Sequence, residues 1–344
     1  MDRADNKVTI VIPHFNGEEI LRRCIISLQE TEYKDFCIVV VDNGSTDRSV
    51  DMVRSSFPDV VILENHRNMG FAAGCNTGIR FSSSPFVVLL NNDTEVTPGW
   101  LGPLLEAAEK DELVAAVQPK LLSLREPDRF DYCGGAGGEL DIFGYPYVWG
   151  RLFNTIEKDR GQYDSKRRIF WASGAAILLR RSSLDRVGLL DEDFFAHMEE
   201  IDLCWRLHWA GYKVVFVPQS VVFHSSGATL NEDSIRKMVL NHRNSIIMIL
   251  KNHTAGALIW ILPFRIILEI ITAASSFFIK QPKRSFAVLR GMFGVVRKIK
   301  TVLAGRRAVR SLRCIPESLM FQRMYRKSIA IAYFIKGIRR ACDL

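Results

Sequence analysis

Short apolar runs alternate with stretches of helical periodicity over the first 110 residues of the chain. Residues 8–13, 36–41, 60–63 and 86–90 are rich in β-branched side chains, which predicts four strands. Between the first two, residues 18–30 place apolar side chains at helical spacing. Strands that are apolar on both faces and separated by helices are typical of parallel sheets with right-handed crossovers. The pattern therefore predicts an α/β fold, with a mostly parallel sheet flanked by helices.

Polar side chains follow two of these predicted strands. Asp42 comes directly after the second strand, and Asn91, Asn92 and Asp93 follow the fourth. In open α/β sheets, ligands bind beyond the carboxyl ends of the strands. Asp42 could accept hydrogen bonds from a ribose or a base, and Asp93 could hold a divalent cation against a phosphate. The alternative for both positions is a plain turn, because Asn and Asp are common turn residues.

Residues 65–78, which are rich in Gly and Asn, are predicted to form a loop. Gly70 and Gly74 would let the backbone approach a ligand closely, and the helix that follows would offer its free amide groups. The loop carries neither the Walker pattern nor the dinucleotide pattern of glycines. A nicotinamide-dependent enzyme is therefore not supported.

The pattern loosens between residues 114 and 168. The glycines at 134–138 and the aromatic residues within 143–149 predict a loop that could close as a mobile lid. Residues 170–180 then enter a strand through small side chains, which would let a substrate lie close. Tight packing against a neighbouring element is the alternative. The acceptor-side candidates in this stretch are Trp171, Ser173 and Gly174.

A second group of charged residues begins a predicted helix. Glu199, Glu200 and Asp202 follow an aromatic stretch. Desolvation and like-charge neighbours raise the pKa of a carboxyl group, as a general base near neutral pH requires. Carboxylates that only complement the helix dipole are the alternative. Residues 212–217 predict a further strand that ends before a proline, and His224 follows as a lone histidine with either a ligand role or a structural one.

The composition is that of a globular protein. The chain has 344 residues, of which 48% are hydrophobic and 24% charged, and it is long enough for one large domain or two. Its seven cysteines lack paired metal or redox spacing, so we expect reduced thiols in a cytosolic setting. The charged residues 1–7 lead directly into a strand, and we therefore expect no secretory signal.

Positive charge is concentrated at the C-terminal end. The net charge is +8, yet residues 280–344 alone hold 17 Lys and Arg against two acidic residues, a net charge of +15. Residues 289–303 and 319–340 alternate apolar and basic side chains in the manner of helices that bind anionic lipid surfaces. We expect no nucleic-acid partner, because the sequence has no recognisable reader motif.

The preceding stretch, residues 257–279, approaches the length of a membrane span. Pro263, Arg265 and Glu269 interrupt its apolar run. These interruptions favour a helix that lies in the membrane interface over one that spans the bilayer. A helical subdomain, or a contact between copies in a homo-oligomer, is a further alternative.

Six motifs in their order along the chain resemble the family 2 inverting glycosyltransferases with the GT-A fold, especially the bacterial branch that includes rhamnosyltransferases of cell-surface polysaccharide assembly. The motifs are Val11-Ile-Pro-His-Phe-Asn16, Val41-Asp-Asn-Gly-Ser-Thr-Asp47, Asn68-Met-Gly-Phe71 with Gly74 and Asn76, Leu90-Asn-Asn-Asp-Thr-Glu95, Glu199-Glu-Ile-Asp-Leu203 and His224. Each motif is degenerate alone, and the resemblance covers about residues 7–250.

The resemblance implies a nucleotide-sugar site, a metal site and a general base. The residues that it places around the nucleotide sugar are Pro13, Asn16, Asp42, Asn43, Asn68, Gly70, Phe71, Gly74, Asn76, Asn91 and Asn92. It assigns Asp93 and His224 to a divalent cation, Mg²⁺ or Mn²⁺, that bridges the diphosphate. The second acid of the family's acidic pair falls on Glu200, next to Glu199, and would deprotonate the acceptor hydroxyl.

Two residues depart from the family pattern. Asn91 replaces the first carboxylate of the Asp-x-Asp motif, so the metal site carries less negative charge. Glu200 stands where many members have Asp, and the extra methylene leaves Asp202 as a rival base. Neither substitution is disabling on chemical grounds.

Together these features predict a metal-dependent inverting glycosyltransferase of the hexosyltransferase class. It would move a sugar, with rhamnose as the family-level expectation, from a nucleotide-diphosphate sugar to a hydroxyl of a glycan or lipid-linked acceptor in cell-surface polysaccharide synthesis. We expect a GT-A domain over residues 1–252 and a helical, basic region for membrane association or oligomerisation over residues 253–344. The protein would be cytoplasmic and peripheral on the inner face of the cell membrane. The alternative is a catalytically silent nucleotide-sugar-binding or scaffold subunit docked at the membrane.

Overall fold

The computed structural model describes residues 6–225 and 234–344, which form a large sheet, a small sheet and the helices around them. In chain order the strands are β1 (Val8–His14), β2 (Phe36–Asp42), β3 (Val61–Glu64), β4 (Phe86–Leu90), β5 (Thr94–Val96), β6 (Val114–Ser123), β7 (Gly138–Leu140), β8 (Pro146–Val148), β9 (Arg151–Leu152), β10 (Thr155–Ile156), β11 (Arg167–Arg168), β12 (Ala176–Arg180) and β13 (Lys213–His224). The α-helices are α1 (Glu18–Gln29), α2 (Ser49–Ser56), α3 (Phe71–Phe81), α4 (Leu101–Glu109), α5 (Arg181–Val187), α6 (Glu199–Trp209), α7 (Ile235–Asn252), α8 (Ala255–Phe278), α9 (Pro282–Arg297), α10 (Ile299–Ser311), α11 (Glu317–Gln322) and α12 (Ile329–Phe334).

The four strands predicted near the N-terminus are present and run parallel. They lie side by side in the order β3-β2-β1-β4. Beyond β4 the direction changes, because β12 runs antiparallel to both β4 and β6, while β13 runs parallel to β6. The nine-stranded sheet is therefore mixed, and the predicted α/β class with a helix-flanked sheet is confirmed.

Helices on both faces of the sheet explain why the central strands are continuously apolar. In β1, Val11 belongs to the hydrophobic cluster on one face, whereas Ile10 and Ile12 belong to the cluster on the other. Residues of α3, α6 and α7 join the first cluster, and residues of α1, α2 and α4 join the second. Side chains of a strand point alternately to the two faces, so every position must be apolar when both faces are covered.

The predicted loop over residues 65–78 ends earlier than expected. Helix α3 begins at Phe71, so Gly74 lies inside a helix. A Cβ atom at Gly74 would come within 2.7 Å of the side-chain amide of Asn43. The glycine therefore lets α3 pack closely against the end of β2, instead of exposing loop backbone.

The strand predicted over residues 212–217 is longer than expected. Strand β13 continues past Pro218 to His224, and its register with β6 shifts between Val217 and Val221. An irregularity of this kind accommodates proline, which lacks the N–H group for regular pairing. As a result, His224 lies within the large sheet, opposite Thr94 of β5.

Residues 143–149, predicted to belong to a loop that could close as a mobile lid, are packed into the protein. Strand β8 belongs to a small antiparallel sheet in the order β10-β9-β8-β7, and Phe143 and Val148 are buried. The ring of Phe143 stacks on Phe264 of α8, with 4.5 Å between the ring centroids. The prediction of a loop that could close as a mobile lid is therefore wrong for residues 143–149, which include β8 and pack against α8.

The C-terminal helices share the main hydrophobic core. Ile261, Val295 and Val302 belong to the same cluster as Val11 of the large sheet. The buried face of α8 also contains Arg265 and Glu269, which form an ion pair at 2.9 Å. The charged residues that interrupt the apolar run therefore face the protein interior.

The opposite face of α8 and the outer face of α9 are apolar and exposed. Ile259 and Phe278 of α8 are 78% and 81% exposed, and Phe286 and Phe293 of α9 are 53% and 63% exposed. By length and composition, α8 is the one helix of the described residues that could cross a membrane. A single helix of this kind is weak evidence for a span, since apolar helices of soluble proteins meet the same criteria.

Candidate active site

A cavity of about 340 Å³ lies at the carboxyl ends of β1, β2 and β4, where open α/β sheets bind their ligands. Asp93 and Glu200, which come from distant parts of the chain, both line it. The predicted site residues in the lining are Pro13, Asn43, Asn68, Gly70, Phe71, Asn91, Asn92, Asp93, Ser173, Gly174, Glu199, Glu200 and His224. The fold thus brings residues of all six sequence motifs to one place.

The other predicted residues lie outside this lining. They are Asn16, Asp42, Gly74, Asn76, Trp171 and Asp202. The carboxylate of Asp42 accepts hydrogen bonds from the amides of Gly44 and Ser45 at 3.0 and 3.1 Å. The side chain of Asn16 accepts one from the amide of Thr46 at 2.8 Å. These bonds shape the turn after β2, which is the turn role that Asn and Asp often have.

Asn76 and Trp171 have hydrogen-bond partners away from the cavity. The side-chain amide of Asn76 donates to the carbonyl oxygen of Leu190 at 2.8 Å, and its oxygen accepts from the Leu190 amide at 3.1 Å. The indole N–H of Trp171 donates to the carbonyl oxygen of Glu139 at 2.8 Å. Both side chains therefore fasten neighbouring segments to each other and do not face the cavity.

Amide side chains order the cavity wall next to β2. Asn43 donates to the carbonyl oxygen of Gly70 at 3.2 Å and accepts from Asn65 at 2.8 Å. Asn68 accepts from the amide of Gly70 at 2.9 Å. Gly70 has a φ of +92°, and a Cβ atom there would lie 2.5 Å from the carbonyl oxygen of Phe195. Glycine is therefore required at this turn for both conformation and space.

Asp93 and His224 meet beyond the end of β4. His224 Nε2 lies 3.1 Å from Asp93 Oδ1 and 3.3 Å from Asn91 Nδ2, while His224 Nδ1 lies 2.9 Å from Asp131 Oδ1. A carboxylate only accepts hydrogen bonds, so Nδ1 carries a proton toward Asp131. Burial lowers the pKa of His224, but the nearby carboxylates of Asp131 and Asp93 outweigh burial and hold the pKa well above its usual value.

These side chains fit a divalent cation. Asp93 Oδ1 is buried, and no described residue offers it a partner with hydrogen-bond geometry, although His224 Nε2 is close. The ligand atoms of Asp131, Cys133 and His224 also lie within 4.8 Å of one another. Carboxylate oxygen suits Mg²⁺ and Mn²⁺, and imidazole nitrogen is a common metal ligand. A cation here would replace the proton on Nε2, because a ligating histidine must be deprotonated at that atom.

Glu199 and Glu200 begin α6 beside the cavity. In each carboxylate, Oε2 is buried and has no hydrogen-bond partner among the described residues. Burial raises the pKa of Glu200 to about 7. Burial and the neighbouring charge of Glu200 raise the pKa of Glu199 well above its usual value. A carboxylate with a pKa near neutrality can accept a proton from a hydroxyl group, so this pair has the properties of a general base.

Asp202, the rival candidate, is buried in an ion cluster. Its carboxylate lies 2.9 Å from Arg206 Nε and 3.0 Å from Lys251 Nζ, and it accepts from the side-chain amide of Asn252 at 2.8 Å. Burial alone would raise the pKa of Asp202, but the charges of Lys251 and Arg206 lower it. Of the three acids at the start of α6, Glu199 and Glu200 are therefore the two that face the cavity.

Ser173 and Gly174 line the cavity where the chain enters β12. The hydroxyl of Ser173 donates to the carbonyl oxygen of Cys133 at 2.5 Å. A Cβ atom at Gly174 would lie 3.2 Å from the ring of Phe71 and 3.9 Å from Cβ of Glu200. The missing side chain at Gly174 therefore keeps space open between the Phe71 ring and Glu200.

The cavity also contains residues that the sequence patterns did not single out as site residues. They are His14, Phe15, Cys133, Ala175, Phe195, Ala196, His197, Arg236 and Lys237. Arg236 and Lys237 do have a signal in the sequence, because they lie in the first turn of α7, where cations oppose the helix dipole. Their charge makes this side of the cavity suitable for a phosphate-bearing ligand. Asp131, which contacts His224, lies in an irregular stretch without a motif.

Comparisons with known proteins agree with this geometry. The profile of the family described as Glycosyl transferase family 2 matches residues 9–188. An N-acetylglucosaminyl-diphospho-decaprenol L-rhamnosyltransferase of Mycobacterium tuberculosis is 27% identical over 263 residues, which are 71% of this chain and 83% of that protein. A pre-mycofactocin glycosyltransferase of the same species is 32% identical over 236 residues, which are 67% of this chain and 45% of that protein.

Two solved structures share the fold. GalNAc-T7, solved with UDP, GalNAc and Mn2+, has a TM-score of 0.58 at 15% identity, covering 87% of this chain and 58% of that one. The mannosyltransferase PcManGT from Pyrobaculum calidifontis, in complex with GDP-Man and Mn2+, has a TM-score of 0.51 at 17% identity, covering 89% of this chain and 86% of that one. The likeness confirms the expected GT-A-type fold with a helical C-terminal region.

We expect Glu200→Gln to stabilise the protein at pH 8 and to have little effect at pH 4. The pKa of Glu200 is raised to about 7 in the folded protein, whereas a carboxyl in an unfolded chain titrates near about 4.3. Between these values the folded state binds more protons, so stability falls as the pH rises from about 4 to about 7. The amide cannot ionise, and the difference between the two pKa values corresponds to a gain of up to about 4 kcal/mol in the free energy of unfolding at pH 8.

Urea titrations at both pH values measure this difference. Glu112→Gln at an exposed position provides a matched control, which should change stability little at either pH. Equal stability of Glu200→Gln and the unmodified protein at pH 8 would contradict the raised pKa.

Proposed function

The chain belongs to glycosyl transferase family 2, and from this we propose that it is an inverting, metal-dependent glycosyltransferase that uses a nucleoside-diphosphate sugar. The observation that carries the proposal is that Asp93 and Glu200 line one cavity. Inversion needs a base on one side of the reacting carbon and support for the leaving diphosphate on the other. One cavity containing a candidate metal ligand and a candidate base meets both needs.

Asp93 and His224 would hold the divalent cation, Mg²⁺ or Mn²⁺. Bound there, the cation would act as a Lewis acid that stabilises charge on the departing diphosphate. Asp131 would orient the imidazole of His224 through Nδ1, which lies 2.9 Å from Asp131 Oδ1. Arg236 and Lys237 line the same cavity and would add positive charge near the diphosphate.

Glu200 would take the proton from the acceptor hydroxyl. Its Oε2 atom is buried without a hydrogen-bond partner among the described residues, so this atom is available to a substrate proton. The pKa of about 7 leaves a substantial fraction of the carboxylate ionised at neutral pH. Deprotonation would favour attack of the hydroxyl oxygen on the anomeric carbon as the nucleoside diphosphate leaves.

The proposed donor carries rhamnose, and the proposed acceptor is a lipid-linked glycan in cell-surface polysaccharide synthesis. Support comes from the mycobacterial relative, whose name specifies rhamnosyl transfer to N-acetylglucosaminyl-diphospho-decaprenol and most of whose length this chain covers. We assign sugar transfer to residues 1–252. Residues 253–344 would hold this cytoplasmic enzyme at the membrane, where the lipid-linked acceptor is anchored.

The apolar surface of α8 and α9 would lie in the interface of an anionic membrane. Its exposed side chains include Ile259, Phe278, Phe286 and Phe293, and the 17 basic residues after position 279 supply charge that attracts anionic lipid. Arg265 lies on the opposite, buried face of α8. Helix α8 can therefore stay packed on the protein while its outer face enters the lipid.

We expect Glu200→Gln to abolish sugar transfer while nucleotide-sugar binding remains. Loss of a general base lowers the turnover number by about 10²- to 10⁴-fold, whereas the proposed nucleotide-binding residues lie on other elements. The assay is release of nucleoside diphosphate from a panel of nucleotide sugars that includes a rhamnosyl donor. Binding is measured by thermal shift, because a ligand selective for the folded state raises the melting temperature.

Glu112→Gln serves again as the control and should retain full activity. Transfer that persists in Glu200→Gln would show that another group is the base. Nucleotide-sugar binding without transfer in the unmodified protein would instead favour the silent binding subunit.

We expect Asp93→Asn to weaken Mn²⁺ binding at least about tenfold, because a neutral amide is a poorer ligand than a carboxylate. Asn91→Asp is the matched variant, since it adds the carboxylate that the family pattern places there, and it should strengthen Mn²⁺ binding. Isothermal titration with Mn²⁺, in the presence of the nucleoside diphosphate that best stabilises the protein, measures the Mn²⁺ affinity of both variants. Unchanged Mn²⁺ affinity in Asp93→Asn would refute the proposed ligand.

We expect the double variant Phe286→Ser, Phe293→Ser to co-sediment with anionic lipid vesicles at least about tenfold more weakly. Each exposed phenylalanine contributes roughly 1.5–3 kcal/mol when it enters an apolar phase. Point variants suit this test better than truncation, because the C-terminal helices share the main core. The control is Ile20→Ser, Ile26→Ser on α1, where both side chains are also exposed.

Vesicle binding that is equal in the two double variants would argue against membrane docking. If the unmodified protein is a dimer in solution and the phenylalanine double variant is not, while vesicle binding is unchanged, the surface is a contact between copies.

A further inference from the structure

The segment that leads into α6 has a strained backbone. Phe195 has φ 66° and ψ −59°, and the amide of Ala196 donates to the carbonyl oxygen of Phe194 at 2.8 Å. This is the γ-turn with positive φ, which is rare and strained. His197 and Met198 follow with φ values of 71° and 76°, in a region that side chains other than glycine seldom adopt. We call residues 194–198 the strained loop.

The strained loop sets the position of the proposed base. Phe195, Ala196 and His197 line the cavity, and Glu199 and Glu200 follow directly in the first turn of α6. A change in the loop backbone would move these carboxylates relative to Asp93. Displacements of about 1 Å at a reacting group can cost about 10²-fold in rate. The loop must therefore be held in place, and strained backbone persists only when the surrounding structure imposes it.

A single buried side chain holds most of the loop. Asn244 of α7 is fully buried, and its Nδ2 atom lies 2.9 Å from each of three carbonyl oxygens, those of Phe194, Ala196 and His197. Its Oδ1 atom accepts from Arg243 Nε at 2.9 Å, which fixes the orientation of the amide group. Asn244 does not belong to the cavity lining.

Two further contacts confine the loop around this amide. Arg243 Nη2 donates to the carbonyl oxygen of Phe194 at 3.1 Å. On the other side, the carbonyl oxygen of Phe195 accepts from the amide of Ala72 at 3.3 Å. The loop is therefore held between the start of α3 and the middle of α7, and the two N–H groups of Asn244 reach three of its carbonyl oxygens, with one hydrogen shared.

We propose that Asn244 is a positioning residue for sugar transfer, which holds the strained loop so that Glu200 stays aligned with the acceptor hydroxyl. The inference rests on the proposed function. An asparagine suits the position because it donates from one atom and accepts at the other. Aspartate has the same shape but would place oxygen against three carbonyl oxygens, and alanine would leave those oxygens without this partner.

Hydrogen–deuterium exchange of the full-length protein tests the clamp directly. We expect amides of the strained loop to exchange at least tenfold faster in Asn244→Ala and Asn244→Asp, while exchange in β1–β4 is unchanged. The control is Asn241→Ala, one turn earlier on α7, because Asn241 has no hydrogen bond to the loop among residues 6–225 and 234–344. It should leave loop exchange as in the unmodified protein.

Kinetics then separate positioning from a general loss of structure. For both Asn244 variants we expect kcat to fall at least 100-fold, with KM for the donor and nucleoside-diphosphate binding within twofold of the unmodified protein. In Asn244→Asp the activity relative to the unmodified protein should rise as the pH is lowered, because a protonated carboxyl regains one donor. If Asn244 were purely structural, its variants would lower the stability and the folded fraction, but kcat per folded molecule would stay within threefold of normal.

The outcomes distinguish this inference from the proposed function. Unchanged loop exchange overturns the inference, and so does a kcat within threefold of normal in a folded Asn244 variant. If Asn244→Ala fails to fold, the inference is tested with Asn244→Asp alone, because aspartate keeps the volume of the side chain. Absence of transfer by the unmodified protein counts against the proposed function instead, since loop exchange is measured without any substrate.

Discussion

The structure depends above all on how it compensates acids that are buried close together at one edge of the sheet. Asp93 is next to His224, and Asp202 is paired with two cationic side chains. Glu199 and Glu200 have no cationic partner among the described residues, and burial raises the pKa of both. Burying a charge without compensation is costly, and Glu199 and Glu200 bear this cost at the cavity, while burial also raises the pKa of Glu139 and Asp141 away from it. Among the three acids at the start of α6, charge compensation thus distinguishes Asp202 from the two acids that face the cavity.

The C-terminal helices contribute to the site as well as to the outer surface. Lys251 pairs with Asp191 at 2.6 Å, and Lys298 pairs with Asp193 at 2.5 Å, in the segment just before the strained loop. Lys298, which belongs to the basic C-terminal end, therefore pairs with an acid of the sheet-forming region. Together with Asn244, these contacts link the segment before Glu199 and Glu200 to α7 and α9, and the outer face of α9 is apolar.

Much of the large sheet and of the cavity was predictable, because both follow from local order in the sequence. Parallel strands end at one edge of a sheet, so polar residues directly after apolar runs converge there, as Asn43 and Asp93 do. Gly70 does line the cavity, but its positive φ and its close contact with Phe195 are what require glycine there, and the predicted approach to a ligand stays a prediction. The predicted loop at Gly74 is wrong, because this glycine lies in α3 and allows close helix packing. The predicted strand end at Pro218 is also wrong, because β13 continues past the proline through an irregularity in its pairing.

By itself, the sequence determined the α/β class, the order of the motifs and the acids that could carry out the chemistry. Only the tertiary structure decided that Asp202 is turned into an ion cluster, that Asp131 contacts His224, and that Arg265 faces inward while the other side of α8 is exposed. The reason is physical. Strand periodicity and strand-end polarity are properties of neighbouring residues, whereas the burial and pairing of a charge depend on elements that folding brings together from distant parts of the chain.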